Sequence, residues 1–312
     1  MSKSKGKKFV TVFVLLLISV IIVISLYLYK NINDTLLFDS GIEDGETLSY
    51  LDTNEDKMSA FNVLLIGTDA SGQMTDALML VNVDKAEKKI RMLSIPRDTK
   101  VTAEGKICKI NSCYLRGGLD LLFEEIKQLT NAPIHYYALI EPGTLAGMVD
   151  SLGGVEYEVE RDMYYSDPSQ NLFIDLKSGK QVLSGDQAEQ YCRFRSYVMG
   201  DITRTQCQQK FLKALFEQKL NFSYVTKVYD LYKAIRGSIK TNISFKDIAD
   251  NLSIMQMLKH ESQIECIDTP GNYNDMQKEG VSYYLIRDKS LEELRLLCVE
   301  KFMGTYNAEN QN

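Results

Sequence analysis

Short apolar runs alternate with helical periodicities along most of this chain. FNVLLIG (Phe61–Gly67) is a continuous apolar run of strand length, as a buried strand requires. ALMLVNVD (Ala77–Asp84) and KKIRMLSIP (Lys88–Pro96) follow, separated only by Lys85-Ala86-Glu87, which is a hairpin signal. Pro96 ends the third run because it cannot donate to a ladder. After Gly117-Gly118, Leu119, Leu122, Phe123 and Ile126 recur at helical spacing. HYYALIE (His135–Glu141) reads as a strand, and Pro142 opens a helix that Gly153-Gly154 stops. VEYEVERD alternates like a half-exposed strand. Ser184 and Gln187 make an S-x-x-Q capping box, which predicts a helix over Gly185–Tyr191. A second helix is expected over Ile202–Lys219, with others near Tyr224–Arg236, Phe245–Leu258 and Leu291–Phe302, and a strand at QIECID. Interleaved strands and helices, with an early hairpin, define an α/β fold: a mixed central β-sheet flanked by helices.

The N-terminus follows a different pattern. Lys3, Lys5, Lys7 and Lys8 precede a stretch without charge from Phe9 to Tyr29, which as a helix would be about 30 Å long, one bilayer core. The flanking lysines place residues 1–8 in the cytoplasm. No small-x-small site ends the stretch, so it reads as an uncleaved transmembrane anchor over 9–29 rather than a signal peptide. Residues 30–60 are polar and acidic, a linker. One domain, 61–305, is then expected outside the cell, making a single-pass cell-membrane protein. The net charge of -6 argues against a nucleic-acid partner. Six cysteines in that compartment permit disulfides. Cys108 with Cys113, Cys192 with Cys207 and Cys266 with Cys298 are possible pairs, and buried thiols are the alternative.

The candidate chemistry is anionic. With only His135 and His260, and no G-x-S-x-G or Walker A loop, a histidine triad or P-loop is excluded. Asp69 follows the first strand and Asp76 precedes the second, so both carboxylates should meet at one end of the sheet. Such a pair can share Mg²⁺ with phosphate or simply serve turns. Arg97 and Asp98 follow the third strand, beyond whose carboxyl end ligands tend to bind; the alternative is a surface ion pair. Lys109 could act as a phosphate point charge or be a solvated loop residue. RFRSYVMGDITRTQCQQ (Arg193–Gln209) gathers guanidiniums in an acidic chain. If Tyr191–Arg195 is extended, Arg193 and Arg195 share a side. Arg204 and Gln208 share a helical face, and Asp201 stands near that helix's start. Planar forks suit phosphate oxygens; an arginine network with Asp201 is the other reading.

In order, IGTD, TDALML, SIPRD, KINSCYLRGG, IHYYALIEPGTLAGMVDSLGGVEYEV, LSGDQAEQYCRFR and GDITRTQCQQ resemble the LytR-CpsA-Psr family over about Phe61–Leu220. The resemblance implies an enzyme that moves a glycopolymer from a polyprenyl-diphosphate carrier onto peptidoglycan of a Gram-positive wall. By that resemblance Arg97, Arg193, Arg195, Arg204, Gln208 and Lys109 hold the diphosphate, and Asp69 and Asp76 ligate Mg²⁺. Arg97, Asp98 and Asp201 are the implied catalytic residues, the two acids orienting arginines or moving a proton. Fixed cations would stabilise the charge left on the departing diphosphate, so no protein nucleophile is needed. The family often has arginine just before the second aspartate motif, where Met74 stands here, and another at the position of Cys207. Those departures leave open a different carrier, a weaker site, or a non-catalytic binder of lipid diphosphate or wall polymer; a polyprenyl-diphosphate hydrolase is a further alternative.

Overall fold

A computed structural model describes residues 59–69, 71–141, 143–168, 172–195, 201–219, 239–243, 247, 251, 263–274 and 280–303. The expected anchor at 9–29 and the helices near 224–236 and 245–258 lie outside these residues, apart from 247 and 251. No helix among the described residues is long and apolar enough to cross a membrane.

The strands are β1 (Ala60–Thr68), β2 (Thr75–Asp84), β3 (Lys89–Ile95), β4 (Lys100–Ala103), β5 (Lys106–Lys109), β6 (Tyr136–Ile140) and β7 (Val155–Val159). They continue as β8 (Met163–Asp167), β9 (Leu172–Leu176), β10 (Gly179–Leu183), β11 (Ile239–Thr241), β12 (Ile264–Asp268), β13 (Asn272–Tyr273) and β14 (Tyr284–Leu285). The helices are α1 (Cys113–Thr130), α2 (Thr144–Ser151), α3 (Gly185–Arg193), α4 (Asp201–Lys219) and α5 (Asp288–Phe302). A six-stranded sheet runs in the order β11-β6-β1-β2-β3-β12. β1, β2 and β3 form the expected antiparallel meander, while β6 pairs parallel to β1 and β12 parallel to β3. The sheet is therefore mixed, as the sequence pattern implies.

Alternation sorts the core. Leu64, Ile66, Leu78, Leu80, Leu93 and Ile95 join one buried cluster with Phe123 and Ile126 of α1 and Leu294 and Phe302 of α5. Met79, Val81, Val83 and Met92 form a second, against which Leu212 and Phe216 of α4 pack. β2 is covered on both faces, which is why its sequence reads as an apolar run rather than an alternation. A third cluster joins α2, α3 and α4 to β7–β10 through Val149, Tyr191, Phe211 and Leu215.

Two features tie the central strands to the end of α5. Asn62 and Asn82, opposite each other in the β1–β2 ladder and fully buried, are hydrogen-bonded at 2.9 Å. The Asn62 amide also donates to the carbonyls of Pro133 and Phe302, both at 2.8 Å, and Arg91 donates to the carbonyl of Lys301. His135 accepts from the Asn62 backbone at 2.9 Å, the structural role its strand context suggests.

The Ser184–Gln187 capping box forms as read, and it starts α3 against α2. Gly185, the first residue of α3, lies so close to α2 that an added Cβ would stand 2.2 Å from the Ala146 carbonyl oxygen. Gly185→Ala is expected to cost about 2 kcal/mol by overpacking. Gly147→Ala, in α2 with nothing near its Cβ, should gain up to about 1 kcal/mol of helix propensity. Thermal melts of the two variants measure the contrast.

Candidate anion-binding site at the carboxyl end of the sheet

The ladder between β1 and β2 breaks at its last step. Gly67 pairs with Ala77, but Thr68 pairs with Thr75, so Asp76 is the extra residue of a β-bulge. It lies inside β2 rather than before it, as the sequence suggested. Bulges re-aim side chains and are frequent beside functional sites. Here three arginines converge on the bulged residue. One carboxylate oxygen of Asp76 accepts from Nη1 of Arg97, and the other accepts from Nη2 of Arg195 at 3.1 Å. Nη2 of Arg204 donates to the Asp76 backbone carbonyl at 3.1 Å.

Each arginine arrives from a different element. Arg97 follows β3 and Pro96, in a turn fixed by Thr99, whose amide and hydroxyl both donate to the Pro96 carbonyl. Arg195 follows α3, and Arg204 lies in the second turn of α4. The site thus stands where β1 and β3 end, beyond their carboxyl ends. Exposed pairs such as Lys177–Asp162 are screened by water and contribute little. In the Asp76 cluster Arg204 is buried, 2% exposed, while the Arg97 and Arg195 pairs with the carboxylate are partly open to water.

A second pair stands beside the first. Lys109 at the end of β5 meets Asp98 at 2.8 Å. The Ile110 and Asn111 amides donate to the carbonyls of Thr99 and Arg97, which lock this turn to the one carrying Arg97. The Tyr284 amide donates to the Asp98 carbonyl from the C-terminal part of the chain.

Other expected residues are placed differently. The stretch Tyr191–Arg195 is not extended: α3 runs to Arg193, two residues beyond the expected end. The capping box and the helical backbone carry it that far, and Phe194 is the first extended residue. Arg193 therefore pairs with Glu189 one turn back at 3.2 Å, while Arg195 turns to Asp76. Gln208 donates to the Cys192 carbonyl at 3.1 Å, tying α4 to the end of α3. The backbone of Asp201 begins α4, but its side chain lies outside the described residues.

Gln209 is a contributor that the sequence reading passed over. Its amide, 2% exposed, donates to Met92 of β3 and Ile267 of β12, at 3.0 and 2.9 Å. That clamp sets α4 on the sheet and so sets the reach of Arg204. A polar residue directly after Gln208, on a helix with a buried face, was the available signal.

A profile of the LytR_cpsA_psr family matches residues 27–297. The chain belongs to that family. It is 27% identical over 274 residues to a Bacillus anthracis protein named polyisoprenyl-teichoic acid–peptidoglycan teichoic acid transferase TagU, covering 85% of this chain and 87% of that one. The crystal structure of B. subtilis TagV superposes with a TM-score of 0.68 at 25% identity, over 80% of this chain and 99% of that one. The structure of TagT bound to LIIa-WTA matches with a TM-score of 0.63 at 25% identity, over 78% and 91%. The mixed sheet with flanking helices is the architecture of this LytR-CpsA-Psr fold.

Cys207, at one of the departures from the family pattern, is buried in the apolar cluster with Tyr191 and Phe211. The three arginine contacts to Asp76 form without any contribution from that position. Asp69 sits at the same end of the sheet but is turned into its own loop. One of its oxygens accepts from the Ser71 hydroxyl and the Gln73 and Met74 amides, at 2.8–3.2 Å. Burial alone would raise this carboxyl, but the bonds from Ser71, Met74 and Gln73 together hold it below the ordinary value of 3.8. A depressed carboxylate contributes stability that is complete above its unfolded value and is lost as pH falls through the folded one. Asp69→Asn is therefore expected to flatten the fall in stability below about pH 4, with no gain at pH 7. Chemical denaturation between pH 7 and pH 2.5 measures this.

Proposed function

We propose that this LytR-CpsA-Psr protein moves a glycopolymer from a polyprenyl-diphosphate carrier to a peptidoglycan hydroxyl. The convergence of Arg97, Arg195 and Arg204 on Asp76 carries the reading. Guanidinium forks at fixed positions suit phosphate oxygens, and they are held by three separate elements, so little reorganisation is needed when charge develops. The acceptor hydroxyl attacks the sugar carbon that joins the glycopolymer to its carrier, the sugar–phosphate bond breaks, and negative charge grows on the departing polyprenyl diphosphate. The arginines stabilise that charge. Lys109, oriented by Asp98, adds a point charge beside them. Asp98 and Asp201 are the residues proposed to orient these cations or receive the hydroxyl proton. The relatives support the donor and acceptor classes: TagU is named for polyisoprenyl-teichoic acid and peptidoglycan.

Mg²⁺ belongs to the same proposal. Among the described residues no group of three or more His, Cys, Asp or Glu side chains converges to hold a metal. Asp69 and Asp76, at the same end of the sheet, are the carboxylates proposed to hold this ion, which takes one or two carboxylates and completes its shell with phosphate and water; the bonds of Asp76 to Arg97 and Arg195 would have to open for it. Asp69 stays ionised through its hydrogen bonds. Bound there, Mg²⁺ would neutralise phosphate charge. The Phe9–Tyr29 stretch is proposed to anchor the domain in the cell membrane, on its outer side, where a lipid-linked donor resides.

The test uses the full chain in detergent with a lipid-linked teichoic acid precursor and peptidoglycan. Carrier release coupled to labelled wall polymer is expected, falling at least about tenfold when EDTA removes the metal. Carrier release from the lipid alone, without an acceptor, would make the protein a hydrolase. Copurified lipid diphosphate with no transfer to any acceptor would make it a binding protein.

A further inference from the structure

Cys108 and Cys113 flank the turn that carries Lys109. Cys108 lies in β5, the chain reverses through a 3₁₀ turn at Ile110–Ser112, and Cys113 begins α1. Cys108 packs against the buried cluster that contains Cys113. The two thiols are near neighbours, close enough for Cys108 to act on the Cys113 thiol, with no disulfide between them. We infer that Cys108 and Cys113 form a disulfide bond on the oxidising side of the membrane, stapling the Lys109 turn to the first residue of α1. The inference rests on reading the domain as exported.

The two sulfurs have different surroundings and different roles. Cys108 is partly exposed, whereas Cys113 is fully buried. Burial, and then Cys108 beside it, push the Cys113 thiol up to about 12, so Cys108 is the attacking group. Its thiolate displaces one sulfur of an external disulfide, such as a protein thiol oxidase or oxidised glutathione. Cys113 gives up its proton and attacks the Cys108 sulfur of the mixed disulfide, expelling the second thiol. Two protein thiols are oxidised and one donor disulfide is reduced to two thiols. Cys192 and Cys207 do not offer the same entry, because both are buried in an apolar cluster. The bond would hold a segment already bonded to the carbonyls of Arg97 and Thr99, and so would fix Lys109 against Asp98.

Trypsin cleaves after Lys106, Lys109 and Arg116, so the bond joins peptides Ile107–Lys109 and Ile110–Arg116. Cells are trapped with N-ethylmaleimide before lysis, and the full chain is digested without reduction. The joined peptides are expected; alkylated Cys108 and Cys113 overturn the inference as a native bond. Oxidised glutathione added to the reduced, detergent-purified chain should also give the joined peptides, and failure overturns the geometry. Reduction should lower Tm by roughly 5 °C in the native chain and not in Cys108→Ser. Equal shifts in both overturn the staple. These masses are read whatever the chain's transfer activity, so loss of transfer alone counts only against the functional reading.

Discussion

Alanine in place of Asp76 is expected to lower transfer by about 10³-fold, the loss of a preorganised charge-stabilising group. The carboxylate is the common partner of Arg97 and Arg195, and the bulge fixes its position. Without it the two guanidiniums repel and lose their aim. The fall should be in kcat more than in KM, because aim matters most when charge develops at the leaving phosphate. Asp76→Asn keeps the shape of the side chain and the backbone carbonyl that binds Arg204. It should fall about tenfold less. Steady-state carrier release with saturating Mg²⁺ measures both variants. Native kcat in Asp76→Ala would remove this residue from the mechanism.

Phe211→Ala should be the most destabilising simple substitution in α4, at about 4 kcal/mol. The ring is fully buried, with centroids 5.7 Å from Tyr157 and 6.1 Å from Tyr191. It lies on the helix two turns beyond Arg204, so one helical face carries both the buried anchor and the charged contact. Truncation opens a cavity between α4 and β7 that two tyrosines cannot fill, since their hydroxyls are bonded to each other at 2.8 Å. A lower urea midpoint with an unchanged m-value is the expected result. A loss below about 1 kcal/mol would mean that this layer repacks freely.

The sheet was legible because its central strands carry their own signal. β1, β2 and β3 are apolar runs punctuated by short polar turns, and both periodicity and proline stops survive folding. Small paired strands such as β4–β5 and β8–β9 were not legible, since they are half-exposed and bury few side chains from which a period can be read. The site was legible in kind. Asp76, Arg97, Arg195 and Arg204 were singled out for their charge and position, and they meet. The geometry was less so. Arg193 and Arg195 were paired by an assumed strand, but α3 persists through Arg193 and separates them. The bulge at Asp76 depends on register between two strands, which no single segment encodes. Gln209 was missed because a polar residue on a buried helical face marks an unusual position but does not say which carbonyls it meets until the helix is placed on the sheet.

The link between Asn62 and Phe302 has a kinetic consequence. The partners are 240 residues apart, and β12, the partner of β3, is also supplied by the last part of the chain. Such non-local closure makes folding slow and places it late. If the domain is threaded across the membrane from its N-terminus, the central meander emerges first, with an open edge at β3 and without the cover of α5. Only when the final helix has crossed can both be closed. An interruption of export near residue 260 would therefore leave a chain that contains every arginine of the site but cannot complete the sheet that holds them, a ready substrate for proteases at the cell surface.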